Sequence, residues 1–422
     1  MKKIKRFLKL LGPGFITGAS DDDPSGIGTY SQTGAAFGYQ QLWLVPFAFP
    51  LMTAVQEMCG RIGLVTGKGL AGVIRKYYSV KILYIAVFLL LFANTINIGA
   101  NLGAMASVAE MLFGIPFIVW ILVMTVITLL LEIFVSYRIY ASFLKYLAFS
   151  IFSYIVAGFT IKQDWSAIFA ATFVPSINLS REYLFNIVAV LGTTISPYLF
   201  FWQAGEEVEE EVETGKLRSM GVGIPHINMR SIKAMRQDTA LGMFFSQLIS
   251  FFIIVTTAST LYQNGINNVE TAVQAAEALK PIAGDFAYLL FAIGIIGTGL
   301  LSVPVLAGSA SYALSEAFGW KEGLYRKFTQ AHGFYGVITV ATIIGLLINF
   351  ISVKPFTLLY YAAVLNGIVA PVLLLIIVLI ANNSQIMGKY KNNFFSNLFG
   401  WMTVGIMFCA SLGLIVSFLI FK

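Results

Sequence analysis

Three consecutive aspartates, Asp21, Asp22 and Asp23, interrupt an apolar stretch whose middle reads GASDDDPSGIGTY. A carboxylate at mid-depth of a bilayer costs from about 2.5 to over 10 kcal/mol, so it persists where something cationic or aqueous meets it. Pro24 removes a backbone donor, and Ser25, Gly26 and Gly28 relax the helix further. Carbonyls around residues 20–26 are thereby freed, and free carbonyls beside a carboxylate make a cation site. A second interruption lies in LGTTISPYLFFWQ, where Pro197 follows Gly192, Thr193, Thr194 and Ser196. A single proline in a membrane helix is usually a harmless kink. The adjacent acids argue against that reading for Pro24, and the hydroxyls argue against it more weakly for Pro197.

The elements that must position these residues follow from composition. Of 422 residues, 58% are apolar and 11% charged, against about 25% charged in an average soluble domain. The chain has too little polar surface for a water-soluble globule and is expected to be an all-α integral membrane protein. Nucleic-acid binding and a large soluble catalytic domain are excluded by the same arithmetic. Cys59 and Cys409 lie in apolar stretches with no metal-ligand spacing, so neither a disulfide framework nor a zinc site is expected. The basic first 11 residues are followed by a run broken at Gly12, Pro13 and Gly14, and no cleavable signal peptide is expected.

Stretches of about 20 apolar residues are long enough to span a bilayer. Eleven candidates lie near 12–38, 42–66, 82–107, 112–134, 143–163, 182–205, 238–262, 285–314, 331–352, 355–381 and 398–421. With the N-terminus cytoplasmic, 22 of the 27 Lys and Arg residues fall on the cytoplasmic side. That asymmetry orients the chain, with the C-terminus extracytoplasmic. Pro24 and Pro197 each sit in the first span of a five-span set, and an odd number of spans inverts the second set relative to the first. The pattern predicts one transporter domain over 1–422, with a five-helix repeat over 1–165 and an inverted one over 180–381. Span 398–421 is an extra eleventh helix. Paired broken helices in inverted repeats place a substrate site near the membrane midplane.

At these two segments the sequence resembles the Nramp family of divalent-metal transporters. GPGFITGASDDDP fits the family's first helix, with Asp23 at the aspartate of its Asp-Pro-Gly-Asn motif, and GTTISPY aligns with its Gly-Ala-Thr-x-Met-Pro-His. The resemblance implies a LeuT-like 5+5 inverted repeat with discontinuous helices 1 and 6. It also implies a metal site at Asp23, Gly26, Thr193 and Ser196. The departures matter as much as the match. The motif's asparagine is Gly26, its metal-contacting methionine is Ser196, its alanine is Thr193 and its histidine is Tyr198. A second family histidine is Gln203. The acidic pair of the third helix is replaced by Asn97 and Ala100, so that no acid is expected inside that span.

Thioether sulfur favours soft ions and offers little to a hard cation. An oxygen-only site suits Mg²⁺, which dehydrates reluctantly and is usually held by one or two carboxylates while partly hydrated. The expectation is therefore Mg²⁺ uptake with Mn²⁺ as a second substrate, as in the Nramp-related magnesium transporters. The alternative is a proton-coupled Mn²⁺/Fe²⁺ importer of the standard family type. With Asn, Ala, Tyr and Gln at the titrating positions, and only His226 and His332 elsewhere, transport is expected to be uncoupled from protons. No catalytic residues, resident cofactor or obligatory protein partner are expected. The substrate ion and the lipid of a cell (inner) membrane are the partners.

Other polar residues admit two readings each. Asp21 and Asp22 either hold the ion's waters or cap the first half-helix in a watery vestibule. Asn97, Asn101 and Asn366 either contact metal-bound water or bond between helices, and Ser25, inside the first break, is a further candidate at the metal. The six glutamates of 206–213 form either a cation funnel or, as the favoured reading, a solvated helix end balanced by Lys216 and Arg218. Glu57 and Glu132 are expected to pair with Arg61 and Arg138.

Overall fold

The computed structural model describes residues 12–135, 152–223, 225–284, 286–351 and 353–420. Among these residues the chain is a bundle of α-helices with no strand. The first span is split into α1 (Pro13–Asp21) and α2 (Pro24–Phe37). Next come α3 (Leu44–Thr66), the short amphipathic α4 (Leu70–Tyr77), α5 (Val80–Phe113) and α6 (Phe117–Phe134). Helices α7 (Ser153–Thr160) and α8 (Trp165–Phe173) follow. The sixth span is split in turn, into α9 (Arg181–Thr194) and α10 (Pro197–Glu213).

Helix α11 (Met229–Thr260) leads through α12 (Ala272–Glu277) and α13 (Lys280–Ala283) to α14 (Phe286–Phe318). The bundle closes with α15 (His332–Ile348), α16 (Pro355–Asn382), the turn α17 (Ser384–Met387) and α18 (Phe394–Ile420). Ten of the eleven expected spans thus lie on described helices, and of the fifth, 143–151 falls outside the described residues. Among the described residues seven helical stretches are long and apolar enough to cross a membrane, the two halves of the sixth span counting as one. Of the four other spans, the first is broken, α3 carries Gln56, Glu57 and Arg61, α15 has 17 residues, and the fifth is described only in part.

Both breaks use the same backbone device. The residue before each proline is extended, Asp23 at φ −69°, ψ 170° and Ser196 at φ −84°, ψ 132°, and the proline opens the next half-helix. A proline disfavours helical geometry in its predecessor and is well placed at a first helical position, where its missing N–H costs nothing.

Glycines let the first half of each broken span press against a continuous helix. A Cβ on Gly18 would sit 2.3 Å from the Gly242 backbone on α11, and one on Gly192 would sit 2.1 Å from the Ala363 carbonyl on α16. Close backbone approach through small residues is how membrane helices gain packing energy without a hydrophobic drive. Helix α5 packs on α14, α10 on α3, and α18 covers α16 and α9. The large apolar side chains of α6 and α18 are mostly exposed, as on a lipid-facing perimeter.

Candidate cation site

Asp23 is the N-cap of α2. Its Oδ1 accepts from the Gly26 backbone N–H at 2.7 Å, which satisfies a donor that the helix start would otherwise leave unpaired. Its Oδ2 accepts from Asn101 Nδ2 at 2.9 Å, and the same amide nitrogen reaches Ser302 Oγ on α14 at 3.2 Å. Asn97, one turn earlier on α5, faces the same carboxylate. The carboxylate is thus buried, aimed and held by neutral donors from two helices, α2 and α5.

The two breaks meet at Gly26. A Cβ there would lie 3.0 Å from the Asp21 carbonyl of its own span and 3.5 Å, an ordinary contact distance, from Thr193 Oγ1, so Gly26 faces the sixth span directly. Tyr198 OH donates to the Ser20 carbonyl at 2.9 Å, and Tyr30 OH bonds Thr194 Oγ1 at 2.9 Å. Ser196 turns back on its own span, donating to the carbonyls of Gly192 at 2.8 Å and Thr193 at 2.7 Å. Asp23, Gly26, Thr193, Ser196 and Tyr198 therefore lie at one junction.

The remaining expected residues divide. Asp21 and Asp22 share a single donor, Ser246 Oγ on α11, at 2.5 and 3.4 Å, and Asp21 Oδ1 and Asp22 Oδ2 are buried without a hydrogen-bond partner. Both residues are no more than 2% exposed, so the watery vestibule around the end of α1 is not seen. Ser25 leaves the junction to donate to the Leu359 carbonyl on α16 at 3.3 Å. Gln203 bonds Glu207 at 2.8 Å and belongs to the glutamate run. Asn366 is buried on α16 beside Gly367, with neither side-chain polar atom bonded. Among the described residues no three His, Cys, Asp or Glu side chains converge as metal ligands, so the three aspartates do not form one cage.

Several expectations need correction. The glutamate run is not a solvated end: all six glutamates lie within α10, and Glu207, Glu209 and Glu211 are buried. Glu209 accepts from Tyr312 OH at 2.5 Å and from the Leu324 N–H. Helix α5 extends to Phe113 and so does include an acid, the exposed Glu110, which accepts from Phe117 N–H at 2.9 Å outside the junction. Glu57 does pair with Arg61, at 2.8 Å, and also with Arg236 at 2.7 Å. Glu132 is buried with neither carboxylate oxygen bonded among the described residues, and Arg138 lies outside them. Sequence reasoning missed Ser246 and Ser302. Their only signal is a hydroxyl inside the apolar runs of the seventh and eighth spans.

An all-helical membrane bundle that apposes two broken helices over a buried, pre-aimed carboxylate has the build of a secondary cation transporter. A family model described as natural resistance-associated macrophage protein-like, Nramp, matches residues 14–417, and the chain belongs to that family. It is 24% identical over 430 residues to the divalent metal cation transporter MntH of Klebsiella pneumoniae (strain 342), covering 99% of this chain and 96% of that protein. The MntH of Caldanaerobacter subterraneus subsp. tengcongensis is 22% identical over 406 residues, covering 94% and 90%. In fold it is similar to the crystal structure of the Eremococcus coleocola manganese transporter. The TM-score is 0.75 at 18% identity, over 98% of this chain and 86% of that one. The fold is accordingly LeuT-like, and the protein is a multi-pass membrane transporter.

Proposed function

We propose that this protein takes up Mg²⁺, and also Mn²⁺, across the cell membrane by alternating access, without proton coupling. Asp23 is the charged ligand. The Gly26 backbone, Thr193 and Ser196 supply neutral oxygens, and water completes the shell. The observation that carries this reading is the donor set around Asp23. Its carboxylate is held by a backbone N–H and the Asn101 amide, and hydroxyls and carbonyls border the junction. A hard dication that keeps part of its hydration prefers such a site. Met105 packs against Gly299 beside the Pro24 ring and is not at the methionine position of the family motif. His226 and His332 are exposed and far along the chain from both breaks.

In this reading residues 1–165 and 180–381 are the inverted repeats, 398–421 is an addition, and the N-terminus is cytoplasmic. A negative-inside potential then favours dication entry by about 4.6 kcal/mol per 100 mV. The test is uptake of Mg²⁺, Mn²⁺, Ca²⁺ and Cd²⁺ into proteoliposomes with internal pH followed in the same vesicles. Mg²⁺ and Mn²⁺ uptake without matching acidification is expected. A Cd²⁺ preference with acidification in proportion to flux overturns it in favour of a proton-coupled Mn²⁺/Fe²⁺ importer.

A further inference from the structure

Helix α5 carries asparagines at 94, 97 and 101, a spacing that puts all three on one helix face. Each is at most 1% exposed, and the side-chain oxygen of each, Oδ1, is buried with no hydrogen-bond partner. Two of the amides cannot be turned around. Asn94 Nδ2 donates to the Leu306 carbonyl at 2.9 Å and to Ser309 Oγ at 2.7 Å, and Asn101 Nδ2 donates to the Asp23 carboxylate. A carbonyl and a carboxylate only accept, so the nitrogens must stay where they are and the oxygens are the acceptors left without a donor.

The row spans about 10 Å at the rise of an α-helix. Its partner stripe on α14 continues from Ser302 and Ser309 to Tyr312, which donates to Glu209. A polar seam therefore runs from Asp23 to the buried glutamates of α10. Unpaired acceptors of one kind along such a seam fit a guest that brings hydrogens to every station, and metal-bound water does so.

We propose that Asn101, Asn97 and Asn94 form the inward leg of the ion path, accepting hydrogen bonds from the waters of a partly hydrated dication and passing it to Glu209. This rests on the reading that the ion keeps its waters. Asn101 has a second task as the positioning residue for Asp23.

The test is the purified full chain in proteoliposomes, with Mg²⁺ and Mn²⁺ as separate probes and variants retained when they elute and melt as the parent does. Asn97→Leu is expected to raise the Mg²⁺ KM about fivefold, the effect of one lost hydrogen bond. Mn²⁺ sheds water more readily, so its KM moves less than about twofold. Asn97→Ser, which keeps an acceptor, restores the parental ratio. Asn94→Asp, which gives up the amide's donation to the Leu306 carbonyl and is read only in protein that melts as the parent does, places a charge on the exit leg and lowers both KM and the maximal rate for either ion. Equal shifts for the two ions, or parental kinetics in Asn94→Asp, overturn the proposal. If the parent moves Mn²⁺ but no Mg²⁺, the proposed substrate fails, and Asn94→Asp assayed with Mn²⁺ still decides the path.

Discussion

The two broken helices share a backbone device and use opposite side-chain chemistry. Asp23 reaches forward, capping α2 at Gly26 and meeting Asn101 on a neighbouring helix. Ser196 reaches backward and gives its proton to carbonyls of its own span, Gly192 and Thr193. One break leaves a negative charge aimed at the junction. The other offers neutral lone pairs. Proline explains where each helix stops, but only the residue before it decides whether the gap attracts a cation. In the proposed site the first break is therefore the electrostatic half and the second the selective wall.

The comparison breaks most visibly at its charged side. Asp23→Ala should reduce Mg²⁺ uptake at least ~100-fold, since even residues that merely orient a ligand are worth 10–100-fold. Asp23→Asn, which keeps the shape, should be almost as damaging. Retention of more than a tenth of parental flux in folded protein would place the charge elsewhere. Changing the neutral side should alter preference more than rate. Ser196→Met should lower the Cd²⁺ KM about tenfold and raise that for Mg²⁺, because a thioether suits soft ions. Unchanged competition between the two ions would show that residue 196 does not face the substrate. The link between the halves should matter less. Tyr198→Phe deletes the bond to the Ser20 carbonyl and should cost about 1 kcal/mol of stability with a few-fold loss of maximal rate. A thermal melt and flux identical to the parent would show that this bond does not hold the halves together.

Much of this was legible in the residues. Apolar run lengths located the helices, and the two prolines located the breaks, because both signals are local in sequence. Chemistry that depends on a partner helix was not. Nothing near Asn101 announces that its amide meets Asp23, 78 positions away, and nothing near Ser246 announces two acids more than 220 positions away. The glutamate run misled for the same reason. Six acids in eight positions read as solvated until Tyr312 of α14 and the Leu324 N–H are seen to hold the buried Glu209. The sequence also contains Pro304 and Pro371 within long spans, and both helices continue through them. Proline alone is therefore not a break signal. The neighbouring acids and hydroxyls made the difference.

The smallest expected effect on transport concerns the surplus at the first break, for which the second has no counterpart. Asp21 and Asp22 bring two further carboxylates, against one hydroxyl that donates a single proton between them. A dication at Asp23 carries too little charge to balance all three. If the surplus pair supports the end of α1 only, Ser246→Ala should cost about 1.5–3 kcal/mol of stability, the range for hydrogen bonds to charged groups. The Mg²⁺ KM should then change less than about twofold, below the roughly fivefold effect of one net hydrogen bond. If the pair belongs to the ion, KM rises while the melt stays in place. The same vesicles settle how the excess charge is balanced. A fixed number of protons released per Mg²⁺ bound would assign Asp21 or Asp22 to the transport cycle and end the uncoupled reading. Zero protons, with KM unmoved in Ser246→Ala, would leave Asp23 as the only acid of the break that the ion engages.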